Sequence, residues 1–351
     1  MSCFFERFRI GIIILVTSLT AFYGCKREKS AEQIYNEQAS GVVMILNQYY
    51  YSVTLPTGDT FYFSDIQDGK IVNPAFSASN VQTTFSFGTG FFIDNNGTIM
   101  TNRHVVNHYI KKSDVVQYVK NLTGALVSYA QERQEEIAYQ AGRIYQILNY
   151  SSQSPEYNAA LKQRLQELSM DYDNAQRYIT SLRRMDASNI LIKCHNKLGI
   201  AYNDSFISGP QDFKECYLIR ESEDENVDLA MVRLAEGVTP SGAYIFRISA
   251  DEKRDKLTLD QQLYLIGYNQ GIALASTTEG IKVQITSGRI SQKPDNYRVM
   301  YTIPILQGSS GSPVVNSYGE LVAVNFATLG GTQSFNFGIP IHQIRAFIRG
   351  I

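Results

Sequence analysis

The 351-residue chain has no Trp, only four His and only four Cys. No Cys-x-x-Cys or comparable ligand spacing accompanies the four histidines, so no metal site is expected and no cofactor is required. Neither charge sign dominates: 32 Lys plus Arg stand against 33 Asp plus Glu, for a formal net charge of −1. That balance excludes the basic footprint of a nucleic-acid-binding domain. Hydrophobic residues make up 44% and charged residues 19%, which excludes an intrinsically disordered chain. Internal repeats and low-complexity tracts are also missing. Long apolar runs are scarce. The one near the start, from Ile10 to about Phe22, is too short to span a bilayer comfortably. With Arg7 and Arg9 ahead of it, it has the pattern of a secretory signal.

What the chain has in plenty is 23 Tyr, 18 Phe and 25 Gly. Aromatic residues with Gly-rich turns lean towards β structure. Strand-like runs begin with "GVVMILNQYYYSV" (41–53), "TFYFS" (60–64), "TFSFGTGFFID" (84–94) and "GTIMTN" (97–102). "IDNNGTI" predicts a hairpin, because Asn-Gly accepts the left-handed geometry of a tight turn. Strand signals resume at "NILIKC" (189–194) and continue to "SFNFGIPI" (334–341), followed by one helical pattern, "IHQIRAFIRG". These predict a mainly β body.

Between about 113 and 187 the period changes. Val115, Val119, Leu122, Leu126 and Ala130, then Ile137, Ala141, Ile144 and Leu148, step by three and four. Leu161, Leu165, Leu168, Tyr172, Ala175, Ile179 and Leu182 do the same beyond a turn at 149–157. The spacing predicts an antiparallel, coiled-coil-like helical hairpin with arms of about 45 Å. Such a stripe is usually core; a lever, an active-site cover or a partner-docking arm are the functional readings.

One short segment raises a chemical question. "QGSSGSPVVN" (307–316) holds three serines among small residues. Alone it reads as a turn. A nucleophilic serine needs a base, an orienting carboxylate and donors for an oxyanion. His104 follows a strand in "MTNRHVVN", and Asp228 opens an apolar strand in "ENVDLAMVRL". Together the three segments supply the residue types of acyl transfer in the order His, Asp, Ser.

These segments resemble the trypsin-like (chymotrypsin-fold) serine peptidases, nearest the HtrA/Deg-type catalytic domain. The resemblance rests on "GTGFFIDNNGTIMTNRHVV" (88–106), "VDLAMVRL" (227–234), "YLIGYNQG" (264–271), "ITSGRIS" (285–291), "QGSSGSPVVNSYGELVAVNFA" (307–327) and "FNFGIPI" (335–341). It covers about 41–112 and 188–351. It implies two six-stranded antiparallel Greek-key barrels, interrupted by the helical hairpin and closed by a C-terminal helix. It also implies Ser310 as nucleophile, His104 as base, Asp228 as its orienter, and the backbone N–H groups of Gly308 and Ser310 as oxyanion donors. Two departures stand out. Ser312 occupies a position where Gly is more frequent, and the His-to-Asp interval is 228 − 104 = 124 residues, lengthened by the hairpin. The chain stops about a dozen residues after "FGIP", so the PDZ domain of Deg-type proteins is not expected.

By the same resemblance, Pro304 and Ile305 line the primary substrate pocket, while Asn325, Phe326 and Ala327 pair with substrate backbone. The loop 301–308 has no carboxylate, which suits an apolar residue before the scissile bond. The segment "AFYGC" followed by "KREKS" resembles a bacterial lipobox, with Phe22 where Leu is usual. It implies lipidation at Cys25 and a membrane-anchored place in the cell envelope, or secretion if the signal is an ordinary one. Cys194 and Cys216 flank a candidate hairpin and could form a disulfide or remain two buried thiols.

The expected organisation is a signal over 1–24, a polar tether over 25–40, first-barrel segments over 41–112 and 188–238, a helical insertion over 113–187, and a second barrel over 239–351. The expected partners are a polypeptide substrate such as an unfolded protein, a membrane, and a protein docked on the hairpin. Two other functions fit the same residues: a binding protein on a protease fold, or a latent protease gated by the hairpin.

Overall fold

The computed structural model describes residues 27–150, 153–250, 255–328 and 335–349; the expected signal and Cys25 lie outside them. Two compact units are present. The first comprises Met1–Asn47, Phe85–Asn107 and Lys197–Ile351; the second comprises Gln48–Thr84 and His108–Asn196.

Among the described residues, nine strands precede residue 235: β1 (Val42–Thr54), β2 (Thr60–Phe63), β3 (Asp65–Gln67), β4 (Lys70–Val72), β5 (Thr84–Phe92), β6 (Thr98–Thr101), β7 (Leu191–Tyr202), β8 (Lys214–Glu221) and β9 (Ala230–Leu234). One sheet runs β2-β1-β5-β6-β9-β8-β7, and β1 also pairs with β7. That extra pairing closes β1, β5, β6, β9, β8 and β7 into a barrel. Eight further strands follow: β10 (Gln262–Gly267), β11 (Ser276–Thr277), β12 (Gly280–Ile281), β13 (Gln284–Arg289), β14 (Val299–Tyr301), β15 (Pro313–Asn316), β16 (Leu321–Thr328) and β17 (Asn336–Pro340). Six of them form a second antiparallel sheet, β13-β10-β15-β16-β17-β14. Its outer strands meet at the Ile290–Tyr301 bridge, so this sheet also curls on itself. The body is mainly β with two barrels, as expected, and ends in the helix Ile341–Arg349.

The "LAMVRL" run shows why the strands read as nearly continuous apolar stretches. Ala230, Val232 and Leu234 pack inside the first barrel with Val43, Phe92 and Ile99. Leu229 and Met231, on the alternate face, pack with Phe91, Met100, Ile266 and Val324. Both faces of β9 are buried apart from half-buried Arg233, so most of the polar half of the usual alternation is missing. The second barrel fills with Leu263, Leu265, Tyr301, Val314 and Val322.

Two expectations are corrected. The tether expected over 25–40 folds in its last part into a helix, Ala31–Gln38, capped by Ser30 and Gln33. Ile34 of that helix is fully buried in the first unit's core, which anchors the segment. Cys194 and Cys216 do not pair; both thiols are free. The β7–β8 ladder sets Leu198, not Cys194, opposite Cys216. Burial pushes the Cys216 thiol up to about 12 and raises that of Cys194, so both stay protonated and unreactive at neutral pH.

The second unit is built on two helices, Lys112–Tyr150 and Pro155–Arg184, 39 and 30 residues long. Ser154 caps the return helix by accepting from Tyr157 N–H, and Pro155 opens it. Near the base, Val115 and Val119 pack on Tyr49, Tyr51, Phe61 and Phe63. Midway, buried Gln134 donates to the Tyr172 carbonyl and to Gln176 Oε1. Farther out, Ile137, Ile144, Leu148, Leu161 and Leu165 are only half-buried.

Candidate active site

His104 lies in a short helix, Arg103–Val106, directly after β6. Asp228 lies two residues before β9, and β6 pairs with β9 through Thr101 and Ala230. This register brings the two side chains together. Asp228 Oδ2 is 2.5 Å from His104 Nδ1, and Asp228 Oδ1 accepts the backbone N–H of His104 at 3.0 Å. Asn102 Nδ2 donates to the Asp228 carbonyl at 2.8 Å and fixes the chain on the other side of the carboxylate. Burial alone would raise the Asp228 pKa. The hydrogen bonds and charge of His104, with the nearby Arg103 guanidinium, outweigh it and hold the carboxyl below its ordinary value. An ionised Asp228 keeps the proton on His104 Nδ1 and leaves Nε2 to accept another. The His104 side chain is 46% exposed, so Nε2 is reachable.

The three serines of the 307–316 segment differ sharply in environment. Ser309 is buried, and its hydroxyl donates to the Leu306 carbonyl at 2.7 Å. Ser312 is fully buried against Gly267, where a Cβ would lie 1.9 Å from its Oγ. Ser310 alone is partly open to solvent. Among the described residues no hydrogen bond joins Ser310 to His104.

Gly308 and Gly311 shape this loop. Both have positive φ, +96° and +87°. A Cβ on Gly308 would sit 2.5 Å from the Tyr268 carbonyl, and one on Gly311 would sit 2.0 Å from the Thr89 carbonyl. Only glycine fits either place.

The loop's amides alternate. Ser309 N–H donates to the Leu306 carbonyl, Gly311 N–H to Asn325 and Ser312 N–H to Ser309. Among the described residues, the N–H groups of Gly308 and Ser310 bond to no protein acceptor. Their orientation is fixed from behind. The Gln307 carbonyl accepts from Gln270 N–H at 2.6 Å, and the Ser309 carbonyl accepts from Asn325 Nδ2 at 3.0 Å. Every peptide bond here is trans, so each following N–H points away from those anchored carbonyls.

The five residues expected to bind substrate divide. Pro304 is exposed, but Ile305 is 6% exposed and packs in the second barrel's core. Asn325 is fully buried; it accepts from Tyr301 O–H at 2.7 Å and braces Ser309. The Ile305 side chain therefore does not line a cleft, because the barrel interior takes it first, while the Asn325 backbone donates to the Ser312 carbonyl and accepts from Gly311 N–H. Phe326 falls at a bulge in the β16–β17 ladder, and Ala327 pairs with Phe337. On the other side of β16, β15 pairs only as far as Val324, so among the described residues the edge at 326–328 has no strand partner there.

Two residues central to the arrangement were not singled out from sequence. Asn102 stands in "TNRHVV", beside the histidine. Thr89 stands in "GTGFF"; its N–H donates to the Ser310 carbonyl and its hydroxyl to that of Gly308. Their only sequence signal is a polar residue flanked by strand residues, a pattern many solvent-facing positions share.

A model of the family described as "Trypsin-like peptidase domain" matches residues 199–324, a span holding Asp228 and Ser310 but not His104. Among solved structures, the chain is similar to a serine endoprotease from Yersinia pestis, at 13% identity and a TM-score of 0.45, over 92% of this chain and 67% of that one. No curated protein matches. Residues 199–324 thus carry the sequence pattern of a trypsin-like peptidase domain, on a frame of two β-barrels.

Proposed function

We propose that this protein is a serine endopeptidase working through Ser310, His104 and Asp228. The observation that carries the reading is the alternation of amides in the nucleophile loop. Among the described residues, Gly308 and Ser310 N–H, two residues apart, are the donors from Gly308 to Ser312 left without a protein acceptor, and the second belongs to the one serine of three that solvent can reach. Left unpaired in a folded loop, such donors suit a ligand oxygen.

In this reading Ser310 Oγ attacks the scissile carbonyl carbon, and His104 Nε2 takes the hydroxyl proton. The carbonyl oxygen gains negative charge and accepts from Gly308 and Ser310 N–H. Collapse of that adduct breaks the C–N bond, and His104 returns the proton to the departing amine. Water then attacks the Ser310 ester by the same route and frees the acid product. Asp228 stays ionised throughout and stabilises the imidazolium.

Because residues 301–308 contain no carboxylate, we assign an apolar preference before the scissile bond. The unpaired edge at 326–328 supports substrate held as an added strand. Lipid anchorage at Cys25 and a place in the cell envelope are further parts of the proposal and rest on the N-terminal sequence.

The test is cleavage of an unfolded protein by the wild type and by Ser310→Ala, with the products sequenced. Cleavage by the wild type only, after apolar residues, is expected. Equal cleavage by both proteins would sink the Ser310 assignment, and cuts mainly after Arg or Lys would sink the apolar preference. No cleavage by the wild type would favour a binding role or a gated enzyme, and deleting the outer arm, beyond Val119 on the first helix and before Ile179 on the second, would then separate those two.

A further inference from the structure

Thr89 lies on β5 and is fully buried, yet each of its polar atoms is committed. Its N–H donates to the Ser310 carbonyl at 2.8 Å. Its hydroxyl donates to the Gly308 carbonyl at 2.8 Å and accepts from Tyr268 N–H at 3.0 Å. Its carbonyl accepts from Thr101 Oγ1 at 2.7 Å, three residues before His104. One residue therefore joins the histidine segment, the end of β10 and both oxyanion-donor residues.

The consequence lies in the peptide planes. The Gly308–Ser309 peptide is held by Thr89 Oγ1 at its oxygen and by the Leu306 carbonyl at its N–H. The Ser310–Gly311 peptide is held by Thr89 N–H at its oxygen and by the Asn325 carbonyl at its N–H. These planes alternate with the two that carry the free donors, 307–308 and 309–310. Gly308 is the weak point, because glycine at φ +96° has other conformations open to it once its carbonyl is released.

We infer that Thr89 is a positioning residue for the oxyanion site: its hydroxyl, through the Gly308 carbonyl and Tyr268 N–H, keeps the resting loop in the conformation that aims Gly308 N–H away from its own chain. This inference rests on the reading of Ser310 as nucleophile. It implies a loop set before substrate arrives. The hydroxyl is the separable part, since the backbone bonds of Thr89 survive any substitution.

Thr89→Val keeps the shape and removes the hydroxyl; Thr89→Ser keeps the hydroxyl; Thr89→Ala removes it with less bulk, should Val not fold. Losing one oxyanion donor outright costs roughly 10²–10³ in kcat, and a loosened donor costs less, so Thr89→Val should lose about 10- to 100-fold in kcat. KM should move by less than about 2-fold, and affinity for a peptide boronate should fall in step with kcat. Thr89→Ser should stay within about 3-fold of the wild type. Hydrogen exchange over 306–311, read by mass spectrometry without substrate, should quicken in Thr89→Val or Thr89→Ala and not in Thr89→Ser. Unchanged exchange in the hydroxyl-free variants, a loss confined to KM, or a Ser variant as poor as Val would each overturn the inference. Cleavage that survives Ser310→Ala would instead overturn the reading of Ser310 as nucleophile, with the exchange measurement still deciding the role of Thr89.

Discussion

The two units hold their shape by different means. In the first, the loop from Leu306 to Ser312 is pinned through its backbone by segments far away in sequence: Thr89, Gln270 and Asn325. In the second, two long helices follow a local apolar period. Their seam is well buried at Val115, Val119, Leu168, Ile179 and Leu182 but only half-buried at Ile137, Ile144 and Leu148. Hydrogen bonds between distant segments set peptide planes individually; a repeating stripe sets a helix pair only as a whole. The first arrangement suits chemistry that depends on the direction of two N–H bonds. The second tolerates slack.

Substitutions can break or sharpen that contrast. Ser310→Ala should abolish turnover, by on the order of 10⁴-fold or more, with no change in melting temperature; a peptidase assay and a thermal melt decide it. Asp228→Asn should cost about 10³–10⁴-fold in kcat, because the neutral amide no longer fixes the proton on His104 Nδ1. Circular dichroism should show the fold intact. Gly311→Ala, which forces a Cβ against the Thr89 carbonyl at positive φ, should destabilise by more than about 2 kcal/mol and disable the loop, as a denaturant melt would record.

In the second unit, Leu168→Ala should cost about 2–4 kcal/mol, visible as earlier loss of helical signal on heating. The smallest effect belongs to Ser312→Ala. Its hydroxyl is buried with no partner among the described residues, so removal should change stability by no more than about 1 kcal/mol and turnover by no more than about 2-fold. A large loss there would mean that the three serines are less distinct than their environments suggest.

Legibility from sequence followed the same divide. The helical stripes were readable because a period of three and four residues is written in neighbouring positions. His104, Asp228 and the serine-rich loop were readable as local contexts, and the resemblance singled out Ser310. Which residues brace that loop was not, because Thr89 and Gly308 are 219 positions apart and their hydrogen bond leaves no periodic trace. Ile305 was assigned to the substrate pocket by the resemblance, whereas the second barrel draws its side chain inward. The helix Ala31–Gln38 could have been found: Ser30 and Gln33 have the spacing of a capping box and precede an apolar residue, Ile34. A polar composition hid it.

The second unit is assembled from two separate stretches, with the chain passing between units at 47/48, 84/85, 107/108 and 196/197. It cannot be excised by one cut at each end. A truncation designed to shorten the arm has its natural junction beyond Val119, because Val115 and Val119 roof the aromatic cluster of Tyr49, Tyr51, Phe61 and Phe63. Cutting closer would leave an aromatic surface open to water and a poorly soluble product. For engineering, the first two turns of the long helix belong with the strands beneath them, and the replaceable part of the arm begins after them.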